Sequence, residues 1–196
     1  MEQHVTDTYP PISSRYVVTI ALGFLALALV LALPWMHWIQ GRDLQYALLG
    51  PQPLYALLLG AVTGALFTPI AWYVFHRLPT LQRNLRQLET TLPLRQMGLF
   101  DIVLVALSAG VGEEILFRGA IQHALGLWGT SFLFGLMHPL SLAYVLYATV
   151  AGLLLGWLAI ATQSLLAPIV CHTIIDALLL WAARRESQQR ILSSKW

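Results

Sequence analysis

Three charged residues lie close together in an otherwise apolar stretch of the chain: Glu113, Glu114 and Arg118. A charged side chain near the centre of a membrane helix costs about 2.5–3.5 kcal/mol, so three of them predict a role in the protein interior. Glu114 and Arg118 are four residues apart and share one face of a helix, which suits an ion pair removed from water. Glu113 lies about 100° around that helix and has no partner in this segment. An unpaired carboxylate in an apolar site suits a proton acceptor, although all three residues could instead only brace the helices.

Two further polar pairs occur in later apolar stretches. Phe134 and His138 are four residues apart, and so are His172 and Asp176. A single histidine on an apolar helix face is usually structural, but two histidines together with Glu113 favour a common site. Residue counts from the expected helix ends place all three in the half of the membrane away from the arginine-rich segment that follows residue 76.

The composition identifies the elements that must position these residues. The 196 residues are 58% hydrophobic and only 10% charged, and the mean hydropathy is +0.69. Soluble domains are about 45–50% apolar and about 25% charged. The sequence therefore predicts an all-α, polytopic bundle of transmembrane helices, with a polar N-terminal tail (residues 1–14) and one membrane-embedded domain (residues 15–196). The motif-bearing core of that domain is residues 97–183.

Apolar runs of about 20 residues predict about six spans. Pro139 cannot donate a helical hydrogen bond, so we expect a short or broken span near His138 and Pro139. The apolar run after Arg15 is longer than the core of a signal peptide, so we expect a retained anchor. The predicted elements are spans at 16–35, 53–75 and 97–118, an amphipathic surface helix at 76–96, an interfacial turn at 119–129, two spans sharing 130–162, and a last span at 165–183.

The arginine-rich segment 76–96 and the basic residues near the C-terminus (Arg184, Arg185, Arg190, Lys195) fall on the same side under a six-span count. The positive-inside rule then predicts a multi-pass cell-membrane protein with both termini in the cytoplasm. Gly60, Gly64 and Ala65 are expected to allow close helix packing. Nucleic-acid binding is unsupported, because no basic stripe with interleaved aromatic residues occurs. The single cysteine, Cys171, excludes an internal disulfide, and we interpret it as a small packing residue.

The three motifs in this order resemble those of the CAAX protease and bacteriocin-processing family, also called Abi. Glu113 to Arg118 read EExxxR, Phe134 to His138 read FxxxH, and His172 to Asp176 read HxxxD. The resemblance extends over about residues 101–181, and the best-known members of the family are the type II CAAX prenyl endopeptidases. It implies a glutamate-dependent intramembrane peptidase that hydrolyses a peptide bond in a membrane-associated protein or peptide.

The resemblance also implies roles for the motif residues. Glu113 and His138 would activate the attacking water, while His172 and the residue at Asp176 would stabilise the oxyanion. Glu114 and Arg118 would hold the motif helix in position. The prenyl endopeptidases have asparagine where this chain has Asp176, and a carboxylate repels an oxyanion. We therefore prefer a role for Asp176 in orienting His172.

Three alternatives remain at this point. Glu113, His138 and His172 could form a catalytic zinc site, but the HExxH spacing is absent and the family resemblance implies no metal or other cofactor. A non-catalytic immunity or scaffold protein could have kept the fold, although every motif position is filled. A proton-coupled transporter would also use charged residues in the membrane, but no inverted repeat is found. The short chain favours a bacterial or archaeal member, in which bacteriocin maturation, pheromone release or anchor trimming would be more natural than CAAX processing.

Overall fold

The structure is a computed structural model that describes residues 12–193, with side chains for residues 12–190. Most of the predicted polar tail, and Lys195, lie outside the described residues. Within them the chain is all α-helical, which confirms the predicted fold class. Two helices contain π-helical turns. The elements are α1 (Ser14–Pro34) with a π-helical end (Trp35–Ile39), α2 (Leu44–Leu49), α3 (Pro53–Arg77), α4 (Pro79–Thr91), α5 (Leu99–Glu114) with a π-helical continuation (Ile115–Ile121), α6 (Gln122–Leu136), α7 (Leu142–Thr162) and α8 (Leu166–Ser193).

Four of the described helical segments are long and apolar enough to cross a membrane: Ser14–Ile39, Pro53–Arg77, Leu142–Thr162 and Leu166–Arg190. α5 and α6, which carry two of the three motifs, have 16 and 15 residues. α5 together with its seven-residue π-helical continuation is long enough for a full crossing, whereas α6 is shorter than the roughly 20 residues required. The count of about six spans therefore stays a prediction, whereas the membrane helix bundle is established.

α8 lies at the centre of the bundle, packed between α3 and α5. Gly60 and Gly64 of α3 are buried against α8, and a side chain at Gly64 would place its Cβ 2.8 Å from the carbonyl oxygen of Cys171. Cys171 itself is fully buried, as expected of a packing residue. Ala65 is exposed, so its predicted packing role was wrong: it lies next to Gly64 in sequence and faces away from α8.

The amphipathic segment forms α4, which caps one end of the bundle. Its Leu81 and Leu85 are buried in a cluster with the end of α3, the start of α5 and Ala183 of α8. Arg83 and Arg86 point outward. The predicted surface helix is therefore correct in pattern, but its apolar face contacts the other helices.

The predicted interfacial turn at residues 119–129 is confined to a kink at Gly126, and the rest of the segment is helical. The backbone continues as a π-helical turn into α6, and only Gly126 has a non-helical conformation, with φ 69°. Two polar side chains in and just before this segment donate hydrogen bonds to backbone carbonyls of α7. Arg118 donates to the carbonyl of Gly152, and Gln122 donates to that of Gly156. The predicted break near Pro139 is confirmed, since residues 137–141 separate α6 from α7. α8 continues ten residues past the predicted end at 183.

Candidate active site

The ion pair predicted from helix spacing is present and lies in the protein interior. Nε of Arg118 lies 3.2 Å from Oε2 of Glu114, and both side chains are completely buried. Nη2 of Arg118 donates a hydrogen bond of 3.1 Å to the carbonyl oxygen of Gly152. Its guanidinium carbon also lies 4.5 Å from the ring centroid of Phe134. Arg118 therefore ties the first motif to α7 and to the second motif.

Glu114 has a second partner that the sequence did not predict. Its Oε1 accepts a hydrogen bond of 2.8 Å from Nδ1 of His172 on α8. The other ring nitrogen, Nε2, lies 3.5 Å from Oδ2 of Asp176. Both ring nitrogens of His172 thus face carboxylates, and the Glu114 contact is the shorter of the two. A charged residue that spacing assigned only to Arg118 also orients the third motif.

Glu113 and His138 face each other across a small gap. Oε2 of Glu113 lies 3.8 Å from Nε2 of His138 and has no hydrogen-bond partner. That separation is too long for a direct hydrogen bond. Nδ1 of His138 lies 2.7 Å from the carbonyl oxygen of Phe134, so Nδ1 carries a proton and Nε2 is directed at Glu113. The structure thus brings Glu113, which has no partner on its own helix, to the histidine of the second motif.

The ring of Phe134 packs against both histidines of this site. Its ring centroid lies 4.7 Å from that of His138 and 6.0 Å from that of His172. Phe134 is buried, so it separates the two histidines while it packs on Arg118. The aromatic position of the FxxxH motif therefore positions three polar side chains at once.

The fixed charges of this site balance when two protons are added. Glu113, Glu114 and Asp176 contribute three negative charges, and Arg118 contributes one positive charge. Two further protons, on the histidines or on the carboxylates, bring the sum to zero. Since an uncompensated charge in the interior is costly, the arrangement favours a site that holds and exchanges protons.

An apolar cavity of about 240 Å³ opens beside Asp176, between α4 and the bundle. Tyr144 of α7 and leucines of α4 and α8 also line it. The Tyr144 ring lies 6.3 Å from the ring of His138. Sequence reasoning missed Tyr144 because it lies outside the motifs. Its only sequence signal was a tyrosine five residues after Pro139, near the start of α7.

The three residues considered for zinc are not brought together as a set of ligands in this arrangement. Among the described residues, no three His, Cys, Asp or Glu side chains are grouped so that they could hold a metal ion. His172 has both ring nitrogens directed at carboxylates, at 2.8 and 3.5 Å. Glu113 and His138 alone supply two ligands, and catalytic zinc sites in proteins have three.

Comparisons with known proteins agree with these motifs. The family described as type II CAAX prenyl endopeptidase Rce1-like matches residues 95–178, which include all seven motif residues discussed above. An uncharacterized protein of Bacillus subtilis (strain 168), YpbD, is 35% identical over 92 residues, covering 45% of this chain and 49% of the relative. The chain thus spans about half the length of the curated relative it matches. No solved structure matches it.

Proposed function

We propose, from the assignment of this chain to the CAAX protease family that the match over residues 95–178 supports, that it is an intramembrane endopeptidase. The observation that carries the proposal is the placement of Glu113 opposite His138, at 3.8 Å, inside the matched segment. Both side chains keep some exposure, at 16% and 29%. Both side chains therefore lie at the edge of the packed core, with Oε2 of Glu113 itself on the buried side.

In the proposed reaction, a water molecule lies between Oε2 of Glu113 and Nε2 of His138. Glu113 accepts one proton from this water as its oxygen attacks the scissile carbonyl carbon. The C–N bond then breaks, and the proton is delivered to the leaving amine. Such general acid–base catalysis contributes about 10²–10⁴-fold.

The developing oxyanion requires hydrogen-bond donors. His172 fits this role because Glu114 fixes its ring through Nδ1 and leaves Nε2–H, shared with Asp176, directed away from the ion pair. Asp176 then orients the imidazole and does not itself contact the oxyanion. Glu114 and Arg118 hold His172 and the motif helix in place.

The substrate is proposed to be a membrane-associated protein or peptide. The apolar cavity beside Asp176 would take its apolar side chains, since leucines and aromatic residues form most of the wall. The protein would act in the cell membrane, with α4 and both termini on the cytoplasmic side, because the exposed arginines lie on α4 and at the end of α8.

The experiment is comparative membrane proteomics of strains that express wild-type protein, Glu113→Gln or the control Glu89→Gln. Glu89 is a carboxylate of α4 outside the three motifs whose ion-pair partner is Arg190, so its variant makes the same chemical change away from the motif residues. We expect one or more uncleaved substrates to accumulate with Glu113→Gln alone. Purified Glu113→Gln should insert and melt like the wild type while its cleavage rate falls by about 10²-fold or more. Near-wild-type turnover by Glu113→Gln would overturn the role assigned to Glu113. Absence of cleavage by the wild type itself would favour the scaffold alternative.

A further inference from the structure

The apolar cavity beside Asp176 has a polar group that the proposed reaction does not use, the hydroxyl of Tyr144. Leucines, Phe75 and other apolar side chains form most of the cavity wall. Among the described residues that line it, only Tyr144, Asp176 and Trp72 have polar side-chain atoms. An apolar pocket with a few fixed polar groups is suited to binding a ligand in one orientation.

The start of α7, which carries Tyr144, is tied to α4. The N–H of Tyr144 donates a hydrogen bond of 3.1 Å to Oγ of Ser141, the residue that caps α7. Oγ of Ser141 also accepts a hydrogen bond of 2.6 Å from Nδ2 of Asn84, a buried residue of α4. These two hydrogen bonds set the position of Tyr144 relative to α4, whose leucines form part of the cavity wall.

The ring of Tyr144 packs against three other rings. Its centroid lies 5.9 Å from that of Phe75, 5.8 Å from that of Tyr147 and 6.3 Å from that of His138. Close packing of this kind limits the freedom of the ring to reorient. The ring is therefore held between the cavity and the second motif.

The hydroxyl of Tyr144 has no hydrogen-bond partner within the part of the chain that the structure describes. It is not one of the fully enclosed polar atoms, so its oxygen keeps some accessible surface. Asp176 and Glu113 are both close enough to act on it electrostatically. Tyrosine hydroxyls that are removed from water usually find a partner. A bound molecule in the cavity can provide that partner.

We infer that Tyr144 is a substrate-binding residue, whose hydroxyl donates a hydrogen bond to a backbone carbonyl oxygen of the peptide segment held in this cavity. The inference rests on the proposed peptidase function. An ionised Asp176 offers only acceptors, so Tyr144 supplies a donor in this part of the wall. An uncharged carbonyl suits the place better than a carboxylate, which Asp176 and Glu113 would repel. The segment bound here is therefore apolar and internal to the substrate chain.

The matched variants are Tyr144→Phe and Tyr147→Phe, each of which removes one hydroxyl and keeps the ring. Tyr147 lies three residues after Tyr144 on α7, and it also interacts electrostatically with Asp176. It lines a different cavity, of about 340 Å³ between α3 and α7. The comparison therefore isolates the position of the hydroxyl in the cavity beside Asp176.

Binding is measured in the Glu113→Gln protein, so that it is separated from turnover. The measurement is thermal stabilisation in detergent by the uncharged probe acetyl-Leu-Leu-Leu-amide. Tyr144→Phe should weaken binding of the probe by about three- to tenfold, the effect of losing one neutral hydrogen bond. Tyr147→Phe should bind the probe as the parent protein does.

Cleavage is measured on the membrane proteins that accumulate in the strain with Glu113→Gln, and Tyr144→Phe alone should slow it by a similar factor. The inference is overturned if the probe does not stabilise the parent protein, or if Tyr144→Phe binds it as tightly as the parent or cleaves at the wild-type rate. It is also overturned if Tyr147→Phe is equally impaired. A wild-type protein that binds the probe through Tyr144 but cleaves nothing would end the proposed peptidase function and leave the binding site assigned.

Discussion

Two ion pairs in this molecule consist of the same residue types, a glutamate and an arginine four residues later, but they differ in burial. Glu114 contacts Arg118 four residues later, with both side chains fully buried. Glu186 also contacts Arg190 four residues later, but these side chains are 25% and 40% exposed. One pair lies inside the bundle, and the other lies near the end of α8.

The similarity extends to their further partners. Each glutamate also contacts a histidine from another helix: His172 for Glu114, at 2.8 Å, and His76 for Glu186, at 3.1 Å. Each network includes a further carboxylate. Asp176 lies beside His172, and Glu89 of α4 lies 2.9 Å from Arg190.

The difference in burial changes what such a network does. Exposed ion pairs contribute about 0–1 kcal/mol, since water solvates the separated charges nearly as well. Removing one partner from a buried pair costs about 3–5 kcal/mol, because the remaining charge has no solvent to replace it. The network at the end of α8 fastens α4 to the bundle, whereas the buried network fixes the site. Sequence spacing is the same for both ion pairs. Spacing alone therefore does not distinguish an ion pair that supports the candidate site from one that attaches a helix to the bundle.

The largest effect should come from Arg118→Ala, which leaves Glu114 as an uncompensated buried charge. We expect a loss of about 3–5 kcal/mol in stability and loss of cleavage. Thermal unfolding in detergent and a cleavage assay measure both. A variant that inserts and melts like the wild type but does not cleave would indicate that Arg118 contacts the substrate directly.

The next effect is the coupling between each glutamate and its histidine, measured by double-mutant cycles of the free energy of unfolding. Glu114→Gln with His172→Gln should give a coupling energy in the upper part of the range of about 0.5–3 kcal/mol. Glu186→Gln with His76→Gln should give at most about 1 kcal/mol. Equal values in the two cycles would contradict the assigned importance of burial.

A smaller effect is expected from Asp176→Asn, because Asp176 is the most exposed member of the buried network, at 32%. An amide oxygen can still accept the imidazole N–H, so cleavage should fall by less than about tenfold, which corresponds to about 1.4 kcal/mol. The same preparation tests the metal alternative by elemental analysis and by treatment with a strong chelator. Stoichiometric zinc whose removal stops turnover would overturn the glutamate mechanism.

The smallest effect should follow Arg190→Ala, since Arg190 and its partner Glu186 on α8 are 40% and 25% exposed, although its other partner, Glu89 of α4, is only 9% exposed. We expect a change in stability of about 1 kcal/mol or less, decreasing further in high salt, with cleavage unchanged. Thermal unfolding at low and high salt measures it. A loss comparable to that of Arg118→Ala would mean that the attachment of α4 supports the site.

The sequence predicted those features of the fold that depend on local periodicity. The α-helical class, the amphipathic α4 and the break before Ser141 follow from patterns within single segments. Two features were missed for the opposite reason. The backbone stays helical through residues 119–125, up to the kink at Gly126, where we expected a turn, because Arg118 and Gln122 bind carbonyls of α7. α2 is only six residues long, which is too short for a periodic pattern that would predict it.

For the site, the sequence by itself determined that Glu114 pairs with Arg118 and that Glu113 does not, because four residues make just over one helical turn. Only the tertiary structure decided that Glu114 also binds His172 and that Glu113 meets His138 across 3.8 Å. Those contacts join different helices. Their register depends on how closely the helices pack, as at Gly64 against Cys171, and no spacing along the chain encodes that distance.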